Sequence, residues 1–526
     1  MRGIYLSLRA WPGPRPRWRQ WGWLLLIVGL LQACTPPPMT GRQDSFRLSA
    51  AESANTPLGR ALEADILAHP GQSAIYPVAD AMDAFVSRML MARHAQRTLD
   101  VQYYIWRNDT TGILLLNALK EAADRGVRVR LLLDDNGIND LDALLMDLHQ
   151  HPQIEVRLFN PFVWRQFKRL GYVFDFPRLN RRMHNKSMTV DGQLTLVGGR
   201  NIGDEYFGAD DGLVFADLDV LAAGPIVAEV SEDFDLYWNS RSAYPLDILP
   251  VATLKPGERP LSEALEALRD LPHLPTYLGA VQQGRLVQAI LAESLSFEWA
   301  PVRMVSDDPA KVFGKLEPDK LFPAQMFNEI GVPGQTLDLV SPYFVPTAAG
   351  TLAFTQLVEQ GIRVRILTNS LEATDVLAVH AGYAKRRKDL LAGGISLYEM
   401  RKLSSNGERH QSGWGSSSSS LHAKTFVVDQ ERVFVGSFNF DPRSANLNTE
   451  LGFVIDSEKL ADSISVVFDQ YMPALAYRLS LSERGKLNWT LEDGGRKQVL
   501  TREPGTNWLK QGWIAFLSAL PIESLL

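Results

Sequence analysis

Two short stretches carry residue types that could do phosphate chemistry. The first is His184-Asn185-Lys186, followed by Asp191 and Gly198-Gly199-Arg200-Asn201. The second is His422-Ala423-Lys424, followed by Asp429 and Gly436-Ser437-Phe438-Asn439. Counted from the histidine, both place Lys at +2, Asp at +7, Gly at +14 and Asn at +17, and the histidines lie 238 residues apart. Unrelated surface histidines do not produce such a match twice. Imidazole titrates near neutrality, so it can serve as nucleophile or as acid and base. Ammonium and amide groups can donate to the non-bridging oxygens of a phosphate as charge develops there. Two facing copies would present two His, two Lys and the amides of Asn201 and Asn439 to one phosphate, with Ser437 a further candidate donor. Asp191 and Asp429 complete the pattern and are counted with the catalytic set of His184, Lys186, His422 and Lys424, although bracing a local turn is preferred for both over touching substrate. No His, Asp or Glu grouping has clear metal-ligand spacing.

Strand-forming residues follow each histidine: Thr189-Val190 in one copy, Phe426-Val427-Val428 in the other. On a strand, residues two apart share a face, so His184 and Lys186 point the same way, as do His422 and Lys424. The same 238-residue offset recurs upstream. TLDVQYYIW at 98–106 and TLDLVSPYF at 336–344 open alike, with Asp100 and Asp338 in register. Each precedes a helix-like stretch that ends at Gly126 or Gly361 and then a second strand, which is a βαβ unit. The fold class expected is α/β, built as two copies of one domain. Residues 61–240 read as the first copy and 299–480 as the second. Residues 241–298 read as a Pro-rich linker with short helices, and 481–526 as a C-terminal extension.

The chain has 526 residues, 45% of them hydrophobic, which excludes a disordered protein and leaves material for sizeable cores. Its formal charge of −6 argues against a nucleic-acid partner, which would want a basic face. Residues 1–20 carry five arginines and no acid, and the apolar run Trp21–Leu31 is too short to span a bilayer. That is the pattern of a secretory leader. Leu31-Gln32-Ala33-Cys34 resembles a bacterial lipoprotein signal, with residues 1–33 removed and Cys34, the lone cysteine, lipidated. Removal would shift the balance to −11. Two or more acyl chains anchor stably, so a cell-envelope lipoprotein facing the periplasm is expected, with 34–60 as lipidated N-terminus and tether.

Other segments bear on a membrane surface as partner. Residues 161–182 mix basic and aromatic side chains just before His184, and the C-terminal NWLKQGWIAFLSALPIESLL is amphipathic. For each, packing on the globular body is an equal reading. Gly413–Ser420 is low-complexity and reads as a solvent loop before a flap. His380 is the remaining histidine worth testing, with helix packing the preferred reading.

The doubled HxKxxxxD, followed by GGRN or GSFN, resembles the phospholipase D superfamily over roughly residues 80–475. GGRNIGDEYF, SPYFVP and GSFNFDPRS, with the leader, resemble its bacterial cardiolipin synthase branch of the C type, which are lipoproteins. The resemblance implies two pseudo-symmetric domains, each a mixed β-sheet flanked by helices, sharing one active site at their interface and complete as a monomer. It implies phospholipid substrates and a phosphatidyltransfer that needs no metal and no cofactor, in agreement with the lack of metal-ligand spacing. It implies a phosphohistidine as well, with His184 as nucleophile and His422 as acid, then base. The symmetric motif itself does not decide which is which. Cardiolipin would form from phosphatidylglycerol as acceptor and phosphatidylethanolamine or phosphatidylglycerol as donor. Hydrolysis to phosphatidic acid is the alternative, and an envelope nuclease a more remote one. The resemblance also implies an acid orienting each histidine. Counted from the histidine of its own half, Glu450 is the match after His422, and Asp217 after His184, with Asp219 an equal-looking neighbour.

Overall fold

The computed structural model describes residues 36–526 apart from 210–213, 252, 273, 293, 315, 403–418 and 494. Cys34, the leader and most of the Gly413–Ser420 stretch therefore lie outside the described residues.

The first half supplies strands β1 (Ser73–Val78), β2 (Thr98–Tyr103), β3 (Arg128–Asp134), β4 (Ile154–Phe159), β5 (Ser187–Val190), β6 (Leu194–Gly198), β7 (Val214–Ala216), β8 (Asp219–Ala223), β9 (Ala243–Pro245) and β10 (Glu298–Ala300). All but β7 form one mixed sheet in the order β10-β1-β8-β6-β5-β2-β3-β4-β9. The second half supplies β11 (Val302–Ser306), β12 (Thr336–Val340), β13 (Arg363–Asn369), β14 (Ser396–Met400), β15 (Ser419–Leu421), β16 (Thr425–Val428), β17 (Arg432–Gly436), β18 (Leu451–Asp456), β19 (Ala476–Leu481), β20 (Leu487–Asp493) and β21 (Arg496–Leu500). Its sheet runs β11-β18-β17-β16-β12-β13-β14-β19-β20-β21, so the order of the first sheet from β1 to β9 is repeated from β11 to β19.

The parallel pairs β2–β3 and β12–β13 are the βαβ units seen in the sequence. Their crossover helices, Thr110–Asp124 and Thr347–Glu359, each end one residue before the chain turns toward a glycine at positive φ, Gly126 or Gly361. Within each pair a buried ion pair sits in register: Asp100 opposite Arg130, Asp338 opposite Arg365. Central strands β2 and β3 are buried on both faces, as flanking helices require.

One apolar core joins the halves. Ile75, Val197, Val220 and Val227 of the first pack with Val433, Val435, Phe453 and Ile455 of the second. Beyond this shared core, each half has its own on the other side of its sheet.

Three boundaries differ from the sequence reading. Residues expected to form a tether as far as residue 60 lie on the body: the Arg42 guanidinium donates to Ser240 O and Asn239 O, and Arg47 to Ala228 O. Helices Ala50–Ala54 and Pro57–Ala68 follow, with Ser49 and Thr56 as N-caps. The linker helices Pro260–Arg269 and Leu274–Gln282 bury Leu261, Leu268, Leu274 and Tyr277 in the first core, and β10, which contains Trp299, pairs with β1. The second repeat therefore starts at β11. At the other end β19 to β21 extend the second sheet across residue 480. Proline and polar composition flagged these segments as irregular but could not show what they dock on.

Candidate active site

His184 and Lys186 lie in the extended lead-in to β5, and His422 and Lys424 in the lead-in to β16. Two contacts between the halves bring these segments together. Parallel β7 and β15 pair Ala216 with Leu421, and His422 N and Ala423 N both donate to Ala216 O. In the pseudo-symmetric place, Met183 bridges to Thr449, and His184 N donates to Thr449 O.

This pairing sets the orientation of both imidazoles. Asp217 follows Ala216, so its carboxylate lies against His422, with Oδ2 2.6 Å from Nδ1. Glu450 follows Thr449, so its carboxylate lies against His184, with Oε2 2.8 Å from Nδ1. The two acids singled out in the sequence do hold the histidines, but crosswise: each serves the histidine of the other half. Counting along the chain from the nearer histidine gave the wrong partner. Asp219, the rival of Asp217, is instead buried against Arg88 at 3.0 Å and Arg200 at 3.3 Å.

Glycine makes room for one of these contacts. A Cβ at Gly199 would stand 2.1 Å from Asp217 Oδ1, so no side chain fits there. Arg200 holds the same loop by donating to Asp217 O at 2.7 Å. In the second half Ser437 occupies the place of Gly199. Its hydroxyl donates to Glu450 Oε2 and accepts from Leu451 N. Ser437 therefore positions Glu450; its hydroxyl proton is not available to substrate, contrary to its reading as a phosphate donor. Asn201 is partly committed too, accepting from Ile105 N and donating to Tyr206 OH. Asn439 makes no side-chain hydrogen bond among the described residues, and its Nδ2 donors, rather than its buried acceptor Oδ1, are what a phosphoryl oxygen could take.

Asp191 and Asp429 are away from the imidazoles. Asp191 accepts from the backbone N–H groups of Gln96, Arg97 and Thr98, and Asp429 from those of Gly334, Gln335 and Thr336. Both sit at positive φ, 53° and 56°, in the turn after β5 or β16. They fasten that turn to the start of β2 or β12, which removes them from the catalytic set in which the motif places them.

The electrostatics are those of a buried anion site. Burial pushes the Lys186 ammonium down to about 7 and that of Lys424 to about 8, despite nearby carboxylates. Lys186 Nζ donates to His184 O at 2.6 Å, and Lys424 Nζ is 3.0 Å from His422 Nδ1. Burial, then Lys186 and Lys424, hold His184 well below the ordinary imidazole value. Burial and Lys424 bring His422 to about 4, with Asp217 acting in the opposite direction. Burial disfavours the Asp217 carboxylate, yet His422 and Lys424 outweigh it and keep the group ionised. Glu450 goes the other way: burial raises it to about 7. The pseudo-symmetric pairs are thus electrostatically unequal.

Several neighbours carried no repeat signal. Tyr104 meets the His184 ring edge-on at 5.1 Å, and Tyr206 the His422 ring at 5.3 Å. Behind Glu450, Asp307 accepts from Glu450 N at 3.0 Å and pairs with Lys311 at 2.7 Å. Tyr104 and Tyr206 both belong to the first half and Asp307 and Lys311 to the second, and none has a like residue 238 positions away, so a search for symmetric residues passes over them. His380, buried on helix Leu377–Ala384, bonds Glu503 of the C-terminal extension at 2.7 Å.

Comparison with known proteins agrees with this geometry. The chain is 47% identical over 464 residues to cardiolipin synthase C of Escherichia coli K12, covering 87% of this chain and 97% of that one. It is 28% identical over 370 residues to cardiolipin synthase A of Pseudomonas syringae, covering 70% and 62%. A solved phosphatidylserine synthase from Haemophilus influenzae shares the fold, with a TM-score of 0.55 at 15% identity, over 90% of this chain and all of that one. The family model described as "Cardiolipin synthase, PLD-like domain" matches residues 90–238 and again 326–472. With both copies present and their histidines brought to one site, the chain belongs to the cardiolipin synthase family of PLD-like proteins.

Proposed function

We propose that this protein is a phosphatidyltransferase that makes cardiolipin from phosphatidylglycerol, working through a phosphohistidine. The observation that carries the reading is the crosswise pair of histidine–carboxylate contacts with a lysine beside each imidazole. His184, neutral and held by Glu450, attacks phosphorus. An N–P bond forms, the P–O bond to the donor's headgroup breaks, and His422 gives its proton to the leaving oxygen. The hydroxyl of phosphatidylglycerol then attacks phosphorus, His422 takes its proton, and the N–P bond breaks. Burial and Lys424 hold His422 neutral before substrate binds, so it takes up a proton from solvent as the phosphodiester anion binds; the ionised Asp217 favours that proton on His422 more than Glu450 favours one on His184, which assigns the roles. Lys186, Lys424 and Asn439 supply donors to the phosphoryl oxygens. Similarity to cardiolipin synthases supports the choice of substrate.

The same reading places the protein on the envelope membrane through Cys34, with the catalytic body facing the periplasm. Among the described residues no helix is long and apolar enough to cross a membrane. The deciding experiment expresses wild type and His184→Ala in a cell lacking cardiolipin, followed by lipid profiling. Cardiolipin should appear with wild type alone. Phosphatidic acid as the sole product of purified protein given labelled phosphatidylglycerol and phosphatidylethanolamine would replace the synthase with a hydrolase.

A further inference from the structure

Two helices keep an apolar face that the fold does not use. On Lys168–Leu179 and the residue before it, Val173 is 73% exposed, Phe167 63% and Phe174 57%, with Leu170 beside them. Phe167, Leu170 and Phe174 are spaced to share one side of a helix. On Trp508–Ala519, Trp508 is 79% exposed, Trp513 60% and Phe516 55%, while Ile514 and Leu517 on the other side pack against Leu371 and Ala381. The helix is therefore already docked, and its aromatic side is surplus to that contact. Scattered exposed apolar residues are normal; a helix face of them is not.

The chain just beyond each helix meets at Arg443. Arg443 donates from its guanidinium to Asn180, just past the end of the first helix, and from its backbone N–H to the carbonyl of Leu526, which follows the second. Arg443 is four residues from Asn439. The first helix is also tied to a catalytic histidine. Tyr172 OH donates to Asn136 Oδ1 at 2.9 Å, Asn136 Nδ2 donates to Tyr104 OH at 3.2 Å, and Tyr104 meets His184 edge-on. Cations border both faces: Arg169 on the first helix and Lys510 on the second, each exposed. In a chain with an acidic balance, a local pairing of cations with tryptophan and phenylalanine suits the headgroup level of an anionic bilayer.

We infer that these two helix faces together form the surface on which the active site rests against an anionic phospholipid bilayer. The inference rests on the lipid-transfer reading of the site and adds where the lipid surface lies. The test uses the full chain reconstituted in vesicles of phosphatidylglycerol and phosphatidylcholine, where the lipid anchor is the same in every variant. With brominated acyl chains, tryptophan emission should be quenched, and the quenching should fall by more than half in Trp508→Phe/Trp513→Phe. Val173→Glu/Trp513→Glu should lower transfer on vesicles at least tenfold while leaving it within twofold on detergent-mixed micelles, with an unchanged melting temperature. Equal rates on vesicles, or no loss of quenching, would overturn the surface. So would a dimer in sedimentation equilibrium that the double variant dissociates, because the face would then belong to a second copy. Wild type inactive on both vesicles and micelles would instead count against the lipid-transfer reading, while the quenching comparison would still decide the surface.

Discussion

At the scale of single residues, the two histidines share one environment but not one charge balance. Asp217 is held ionised beside His422, whereas burial raises Glu450 beside His184 to about 7. Asp217→Asn should therefore cost more than Glu450→Gln, with a loss in kcat on the order of 10²–10⁴ for the first, by analogy with other histidine–carboxylate pairs. Steady-state kinetics of the two variants checks the order. The lysines govern the alkaline side. Burial brings Lys186 to about 7 and Lys424 to about 8, so their charge, and with it the attraction for a phosphodiester, is present at lower pH and lost as pH rises through that range. The kcat/KM profile should fall from about pH 7 upward, and Lys186→Arg should move the start of that limb to about pH 8, where Lys424 still loses its charge, because guanidinium stays charged. Asp191 belongs to a different category. Asp191→Ala removes an acceptor from Gln96, Arg97 and Thr98 N–H groups and should cost about 2–4 kcal/mol in denaturant melts, with kcat little changed at a temperature where the variant is folded.

At the scale of elements, the site is made by two short pairings between the halves, β7 with β15 and Met183 with Thr449. These set which carboxylate reaches which imidazole. Much of the site was legible without them: the spacing from histidine to asparagine, the 238-residue offset, both acids and the βαβ units are all properties of the chain read in order. The crosswise partnership was not. It arises where residues more than 200 apart in sequence meet, and nothing in the local composition of FADLDV or NLNTELGF points to the opposite half. The same holds for the segment around Arg42 and Arg47, whose polar, proline-containing composition reads as a tether while its guanidinium groups are tied to carbonyls of the first domain. Ser437 illustrates a third kind of miss: a hydroxyl near phosphate chemistry looks like a donor, and only the structure shows it spent on Glu450. Gly199 is the element-level counterpart in the first half. Gly199→Ala would press a methyl group into Asp217, so a ten- to hundredfold loss of transfer is expected with the circular dichroism spectrum retained.

At the scale of the whole molecule, the halves are not two enzymes in tandem. Their joint core takes valines, isoleucines and a phenylalanine from both sheets, and a half alone would expose that face to water. Chains covering 36–300 and 301–526, made separately, should be inactive and prone to aggregate. Refolded together, they should regain transfer with a rate that depends on protein concentration. Such dependence is what a covalent fusion removes. Each imidazole borrows its carboxylate from across the joint, so neither dyad exists until the joint closes. With both sides on one chain, closing is a first-order event at a fixed effective concentration. Even at high dilution, one chain therefore completes its site without a bimolecular encounter between its halves.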